Sequence, residues 1–575
     1  MKDCFDIVIV GAGSAGCVLA ARLAEAGVGS VCLLEAGPRS WSPFVHVPAG
    51  YYRTMSDPKI NWGFETSHQD NLGGRRIACP RGRLLGGSSA VNGLIYIRGQ
   101  HEDYDGWERA GNRGWAWAQV LPYFKRSEDN ALGADHYHGT GGSLGVSHPA
   151  IKNDACDAFV EAAQNLGVPF NPDFNGETQE GVGYFQLTIR RGLRTPASRF
   201  LSSSPEQKNI ELRVCSDVDR IGFQNGKARY VEYRFGGRAM RVEARRAVVL
   251  CAGAIGTPAI LQRSGIGPRK VLARLGIAPI LIKEDVGRHL QDHYQARVVF
   301  KCLNSASLNL VSRNYLWRLK AGIDFVMRRS GPLTIGAGVV GLFARSRPDL
   351  DRPDIQFHVM PFSVDRPGDP FHPFAGFTVS VCELRPKSRG TVEIVSRNAA
   401  VPPAIDPQYF SHPDDGWAIA RGIQLARDIA QAKPLKYLTT GEHEPGPGVA
   451  DLVALREYAA ARGSTIFHPC GTCRMGADEQ AVVDHNLKVN GTSNLWIADA
   501  SIMPSIVSGN TNAACVMIGE RGAESIARDL KSPVYGHFPA EQQISDTAVA
   551  SVTATAATAI STRVLSRHGQ EDAAT

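Results

Sequence analysis

No run of 18 or more apolar residues occurs in this sequence, so a membrane-crossing helix is not expected. Blocks of five or more like charges are also missing. The net charge of +7 is spread along the chain, which leaves no legible nucleic-acid patch and only a weak pull toward anionic membrane surfaces. The N-terminus lacks a separate apolar segment with a small-residue cleavage site, so no signal peptide is expected and the expected location is cytoplasmic. Twelve cysteines lie scattered from Cys4 to Cys515 and read as reduced thiols. Cys470 and Cys473 form a C-x-x-C, but no second C-x-x-C or histidine pair lies nearby to complete four ligands, so no metal is expected. Internal repeats are absent too.

What remains is 575 residues, 43% hydrophobic and 21% charged, an ordinary composition for a large globular enzyme. That length exceeds the ~250–300 residues at which single cores stop growing, so two domains are expected. Phe5 to Val10 is a short apolar run, Ser14 to Ala26 has helical apolar spacing, and Val31 to Leu34 is a second run ending at Glu35. Two more strand-like runs come far later, Ala247 to Cys251 and Leu495 to Ala498. Both end where a parallel sheet would present its carboxyl edge, so a discontinuous nucleotide-binding domain is expected. Within residues 301–465, the stretches DIQFHVMPF, FTVSVCELRP and GTVEIV alternate with period two and predict a second, antiparallel sheet. The fold class is therefore α/β with an α+β second domain. The tail over 533–575 is poor in aromatics and is expected to be disordered.

Gly11-Ala12-Gly13-Ser14-Ala15-Gly16 fits G-x-G-x-x-G between a strand and a helix. The first glycine permits the tight turn, the second lets backbone approach a pyrophosphate, and the third lets helix and strand pack closely. Glu35, 19 residues after Gly16, ends the second strand, where a carboxylate can accept from a ribose. This set alone does not separate FAD from NAD.

Three further motifs do. Residues 81–93 (RGRLLGGSSAVNG) form a glycine- and serine-rich loop that would press backbone against a flat ligand. Residues 253–258 (GAIGTP) form a strand-to-helix turn. His468 to Gly476 (HPCGTCRMG) precedes Asp499-Ala500-Ser501 and Gly509 to Asn512. Together with the N-terminal fingerprint these resemble the glucose–methanol–choline (GMC) oxidoreductase family, from about residue 3 to 530. Within it the chain is most similar to bacterial choline dehydrogenase-like and FAD-dependent aliphatic alcohol dehydrogenases.

The resemblance implies a Rossmann-like FAD-binding domain (1–150, 205–300 and 466–532) and an antiparallel-sheet substrate domain (151–204 and 301–465). It assigns Gly11, Gly13, Ser14 and Gly16 to the pyrophosphate, and Glu35 with Ala36 to the ribose. Asn92 and Gly93 fall beside the isoalloxazine, Gly87 and Val91 of the same loop also belong to the cofactor site, and Val218 meets the adenine through its backbone. Asp499, Ala500, Thr511 and Asn512 bracket the flavin's ribityl and pyrimidine side. Some relatives bond FAD through a histidine in the serine-rich loop; Val91 stands there, so FAD is expected to be non-covalent.

Alcohol oxidation removes a proton from oxygen and a hydride from carbon, so a base must reach the hydroxyl while flavin N5 accepts the hydride. Of sixteen histidines, His468 occupies the family's catalytic position, and Asn510 the matching second position from which an amide could stabilise an alkoxide. His358 matches a pocket histidine of choline-oxidising relatives. Val339 is read at the place of their pocket glutamate, and an apolar wall there would not compensate a buried cation. The expected reaction is oxidation of an uncharged aliphatic or aromatic primary alcohol to the aldehyde, with electrons passed to a quinone or similar acceptor. An oxygen-using oxidase, and a non-redox lyase or photodecarboxylase on the same fold, stay open as alternatives. The resemblance also makes peripheral contact with the inner face of a membrane an expectation.

Overall fold

The computed structural model describes residues 3–365 and 368–530, so the expectation for the tail over 533–575 lies outside the described residues. Two seven-stranded sheets organise the chain. In the first, Cys4–Val10 runs parallel between Val31–Leu34 and Arg238–Leu250. Ile210–Arg213 adds parallel outside Val31–Leu34, and Leu495–Ile497 pairs parallel with Arg238–Leu250. The central strands carry almost unbroken apolar runs because both of their faces are buried. The 13-residue strand Arg238–Leu250 does double duty: its first half closes an antiparallel meander with Lys227–Phe235 and Ser216–Gln224. The turns of that meander are Asn225-Gly226 and Gly236-Gly237, all four residues at positive φ, as two-residue hairpin loops require.

The strand runs expected at Phe5, Val31, Ala247 and Leu495 are thus all found in one sheet, assembled from the start, middle and end of the chain. Helix Ser14–Glu25 packs against helix Asn512–Asp529. The approach is close: a Cβ on Gly519 would stand 2.6 Å from the carbonyl oxygen of Ala15.

The second sheet is antiparallel, in the order Thr439–Glu444, Tyr294–Cys302, Gly376–Glu383, Ile355–Met360, Val340–Ala344, Gly181–Tyr184. One face packs on helix Trp417–Gln431 and the other roofs a cavity. Two expectations need correcting. The boundary at 300/301 cuts through strand Tyr294–Cys302, which belongs wholly to the second sheet. The GTVEIV segment joins neither sheet, because Thr391–Glu393 pairs only with Ala404–Asp406.

Helix Tyr315–Arg328 stands apart. Only Ala321 and Phe325 of its fourteen residues are buried. Among the described residues no helix is long and apolar enough to cross a membrane.

Candidate active site

A cavity of about 610 Å³ lies between the two sheets. It is reached by residues from the glycine fingerprint, the serine-rich loop, the His468 loop and the second sheet. Three helices begin at its wall: Ser14–Glu25, Gly253–Arg263 and Asn512–Asp529. None is capped by its own N-cap side chain, and apart from the Gly253 N–H, which Asp499 takes, their first-turn N–H groups stay available to an anion or carbonyl-rich ligand.

The glycines explain how backbone reaches that close. Gly11 sits at φ +99°, and a Cβ there would lie 2.5 Å from the Cys251 carbonyl oxygen. A Cβ on Gly16 would lie 1.9 Å from the carbonyl oxygen of Gly11, so this residue serves strand–helix packing and does not line the cavity. Gly13 has nothing within 4 Å of a built Cβ and faces open space, while one on Gly87 would meet Gly13 Cα at 2.7 Å. The fingerprint and the serine-rich loop therefore touch glycine to glycine.

Glu35 closes the first turn: its carboxylate accepts from the N–H of Ala12 at 3.0 Å and of Gly37 at 2.8 Å. Burial pushes its pKa up to about 7 despite those two donors. Ser14 Oγ donates to Asn512 Oδ1 at 2.8 Å, tying the first motif to the last. Asp499 lies at the wall, but its carboxylate is already engaged by Gly253 N (2.8 Å), Thr257 Oγ1 (2.6 Å) and Ser501 N (2.8 Å). It anchors the second helix turn. Ala36, Val91, Asn92, Gly93, Val218, Ala500, Thr511 and Asn512 also line the cavity. A large, partly polar cavity bordered by three helix starts and a glycine-to-glycine seam fits a dinucleotide-like group such as FAD.

At the far end of that cavity lies His468, 8% exposed. Asp292 fixes its backbone, accepting from His468 N at 2.7 Å and from the hydroxyls of Tyr409 and Thr465. The ring makes two further contacts: Nδ1 lies 2.9 Å from His293 Nδ1, and Nε2 lies 3.3 Å from Asn510 Nδ2. These contacts determine the protons. His293 Nε2 lies 2.9 Å from the Leu384 carbonyl, which can only accept, so Nε2 carries hydrogen. Burial lowers the pKa of His293 to about 4, so its Nδ1 is bare and must accept from His468 Nδ1–H. That leaves His468 Nε2 unprotonated, its lone pair facing the Asn510 amide N–H. Burial, with His293, Arg81 and His358 adding, holds the pKa of His468 well below 6.5 and keeps the ring neutral.

Asn510 is oriented in turn. Gln356 Nε2 donates to its Oδ1 at 3.2 Å, which directs the amide Nδ2 at His468. His358 lies on the same strand as Gln356, two residues on, and it too faces the cavity. Its ring stacks on Phe185 with centroids 5.6 Å apart, and burial lowers its pKa to about 4.

Of the residues singled out from the sequence, only Gly16 and Val339 do not reach the cavity wall. Val339 is 2% exposed and packs in the core of the second domain. The cavity roof is formed instead by the Tyr294–Cys302, Gly376–Glu383 and Ile355–Met360 strands, with Gln295, Arg297, Thr378, Ser380, His358 and Met360 at the wall. Sequence reasoning missed His293, Gln356 and Arg297. Only a partner remote in sequence gives each its meaning: 175 residues separate His293 from His468. Cys470 and Cys473 are buried free thiols in the first domain's core.

Comparison with known proteins agrees with this architecture. Models of GMC oxidoreductases match residues 5–295 and 386–519. An alcohol dehydrogenase [acceptor] of Pseudomonas putida is 39% identical over 531 residues, covering 92% of this chain and 96% of that protein. An oxygen-dependent choline dehydrogenase of Sinorhizobium medicae is 38% identical over 525 residues, covering 91% and 95%. Among solved structures, pyridoxine 4-oxidase from Mesorbium loti superposes with TM-score 0.81 at 31% identity, covering 90% of this chain and 98% of that one. An Aspergillus oryzae formate oxidase superposes with TM-score 0.86 at 26% identity, covering 92% and 99%. The cavity and its motifs thus have a family context: the chain belongs to the GMC oxidoreductases, flavoenzymes that bind FAD.

Proposed function

We propose that this oxidoreductase converts primary alcohols to aldehydes and passes the electrons to a quinone or similar acceptor. The observation that supports it is the His468–Asn510 pair: a bare imidazole nitrogen and an amide N–H, 3.3 Å apart at the cavity wall. Bound FAD supplies the hydride acceptor. A hydroxyl oxygen seated against both side chains gives its proton to His468 Nε2 and keeps a hydrogen bond from Asn510 Nδ2 as negative charge develops. His293 holds the imidazole in the receptive tautomer, and Gln356 holds the amide the right way round. FAD would lie in the glycine cradle, and the second sheet roofs the cavity over His468 and Asn510.

The case against a cationic substrate passes from Val339 to Arg297. A guanidinium in the wall repels a quaternary ammonium, where a buried valine would have had no say. Anaerobic mixing tests the reading. A primary alcohol should bleach the yellow protein in the dark, and a soluble quinone should restore the colour much faster than air. Fast recovery in air with hydrogen peroxide would make it an oxidase; no dark bleaching by any alcohol would end the proposal.

A quinone acceptor implies a lipid surface, and helix Tyr315–Arg328 offers a face suited to one. Tyr315, Leu316, Leu319, Ile323, Val326 and Met327 are 50–75% exposed. At 100° per residue they fall within one arc of about 120°. Arg318 and Lys320 flank that arc, and Arg313, Arg328 and Arg329 cluster at the two ends of the helix; all five are exposed, with Asp324 the one acid of the helix. An apolar stripe bordered by cations suits the headgroup region of an anionic bilayer. The holoenzyme should sediment with vesicles containing phosphatidylglycerol and be released by high salt. Leu319→Glu with Ile323→Glu should abolish sedimentation and leave bleaching unchanged. Equal binding by the variant, or a dimer that this pair of changes dissociates, would refute the lipid assignment.

A further inference from the structure

The roof of the cavity contains polar groups that the hydride and proton chemistry does not use. The register of the second sheet places Arg297 directly opposite Ser380, and Ser380 directly opposite His358. These three residues form one cross-strand row on the cavity wall. Arg297 Nε and Ser380 Oγ are both buried and have no hydrogen-bond partner among the described residues. Among the described residues the guanidinium makes no salt bridge, although it also borders a neighbouring cavity lined by Asp365, Asp369 and Glu444. Glu444, the carboxylate that acts on it, is held by Arg462 at 2.9 Å, and Asp365 offers only its backbone carbonyl at 3.4 Å. Burial lowers the pKa of the guanidinium, the signature of a cation short of compensation.

Buried donors are rarely left unmade, because each costs about 1–3 kcal/mol, and a cation costs more. Two neighbouring unsatisfied donors on one wall of a ligand cavity call for an acceptor from the ligand. A carboxylate suits them best, since it can take the Arg297 fork and the Ser380 hydroxyl together.

Register also sets the distance. Gln356, whose amide contacts Asn510, lies two residues before His358 on the same strand. The Arg297–Ser380–His358 row is therefore about 7 Å along the sheet from Gln356, and Arg297 lies two strands, about 10 Å, across from the Gln356 strand, a gap that the Arg297 side chain and a chain of about six carbons cover together. The wall near the row is apolar, with Met360, Phe362 and Val364.

We infer that Arg297 and Ser380 form a carboxylate subsite, so that this enzyme's preferred alcohols carry a carboxylate at the end remote from the hydroxyl. The inference rests on the proposed alcohol oxidation for the substrate's reacting end, but the subsite itself can be tested without turnover. Hexanoate, which has the carboxylate and no hydroxyl, should bind the holoenzyme and perturb the flavin absorbance. Arg297→Met should weaken that binding about ten- to hundredfold, with Arg297→Lys intermediate and Ser380→Ala milder. In turnover, 6-hydroxyhexanoate should exceed 1-hexanol in kcat/KM. Arg297→Met should remove that advantage through KM.

Oxidation of 1-hexanol with no hexanoate binding, or with binding indifferent to Arg297→Met, overturns the subsite and leaves the alcohol reading intact. Arg297-dependent hexanoate binding with no alcohol oxidised would do the reverse. An unchanged thermal midpoint in Arg297→Met confirms that the variant folds.

Discussion

His468→Ala should purify as yellow as the wild type and reduce its flavin about 10²–10⁴-fold more slowly with the same alcohol, the range for a lost general base. Retention of FAD is expected because the cradle is built elsewhere: Gly11, Gly13, Glu35, Gly87 and Asn512 belong to other loops. Loss of rate is expected because no second base is ready at that place. His293 faces His468 with the nitrogen it needs for the tautomer relay and gives its other nitrogen to the Leu384 carbonyl. His358 lies in the adjoining row and stacks on Phe185. A colourless His468→Ala protein would mean that the imidazole is part of the cofactor site, and an undiminished rate would exclude it as the base. Anaerobic stopped-flow absorbance distinguishes these outcomes.

His293→Ala should lower the rate of flavin reduction about ten- to thousandfold with little change in KM, below the ~10⁴-fold known for a histidine forced into the wrong tautomer. The residue touches no substrate; it acts by accepting the hydrogen on His468 Nδ1. Without it either nitrogen of His468 can carry hydrogen, and the Leu384 carbonyl is left buried without its donor. His293→Asn separates positioning from simple packing, because its side-chain oxygen can accept from Nδ1–H. That variant should recover part of the rate, and packing alone would give no such recovery. Equal rates in His293→Ala and wild type would remove the relay from the account.

The readable part of this fold was local. A strand, a G-x-G-x-x-G loop and a helix follow one another within 25 residues, and each glycine's job is set by neighbours in that same unit. The His468 loop was likewise visible as a motif. What the chain does with the second sheet was not. The Ile355–Met360 and Gly376–Glu383 strands are buried on both faces, so alternation cannot tell which side meets the substrate. Val339 was read as a pocket residue for want of that information, while Arg297 passed unnoticed among the apolar residues of its strand. The misplaced boundary at 300 has the same origin: the strand from Tyr294 starts immediately after a segment that serves the first domain's active-site edge. His293 was one of sixteen histidines until the fold set it against His468.

The pH dependence of flavin reduction by a primary alcohol, followed in single turnovers, bears most directly on whether a neutral, buried imidazole takes the proton. Burial depresses the pKa of His468, so the reactive form prevails above the ordinary histidine value and is lost only by acidification. The unfolded chain binds protons that the fold refuses in this window, so stability should decline on the same acid side. The account predicts a rate that is level from alkaline pH down through 6.5 and falls only well below that value. A rate that is greatest in acid and declines as pH rises would contradict it.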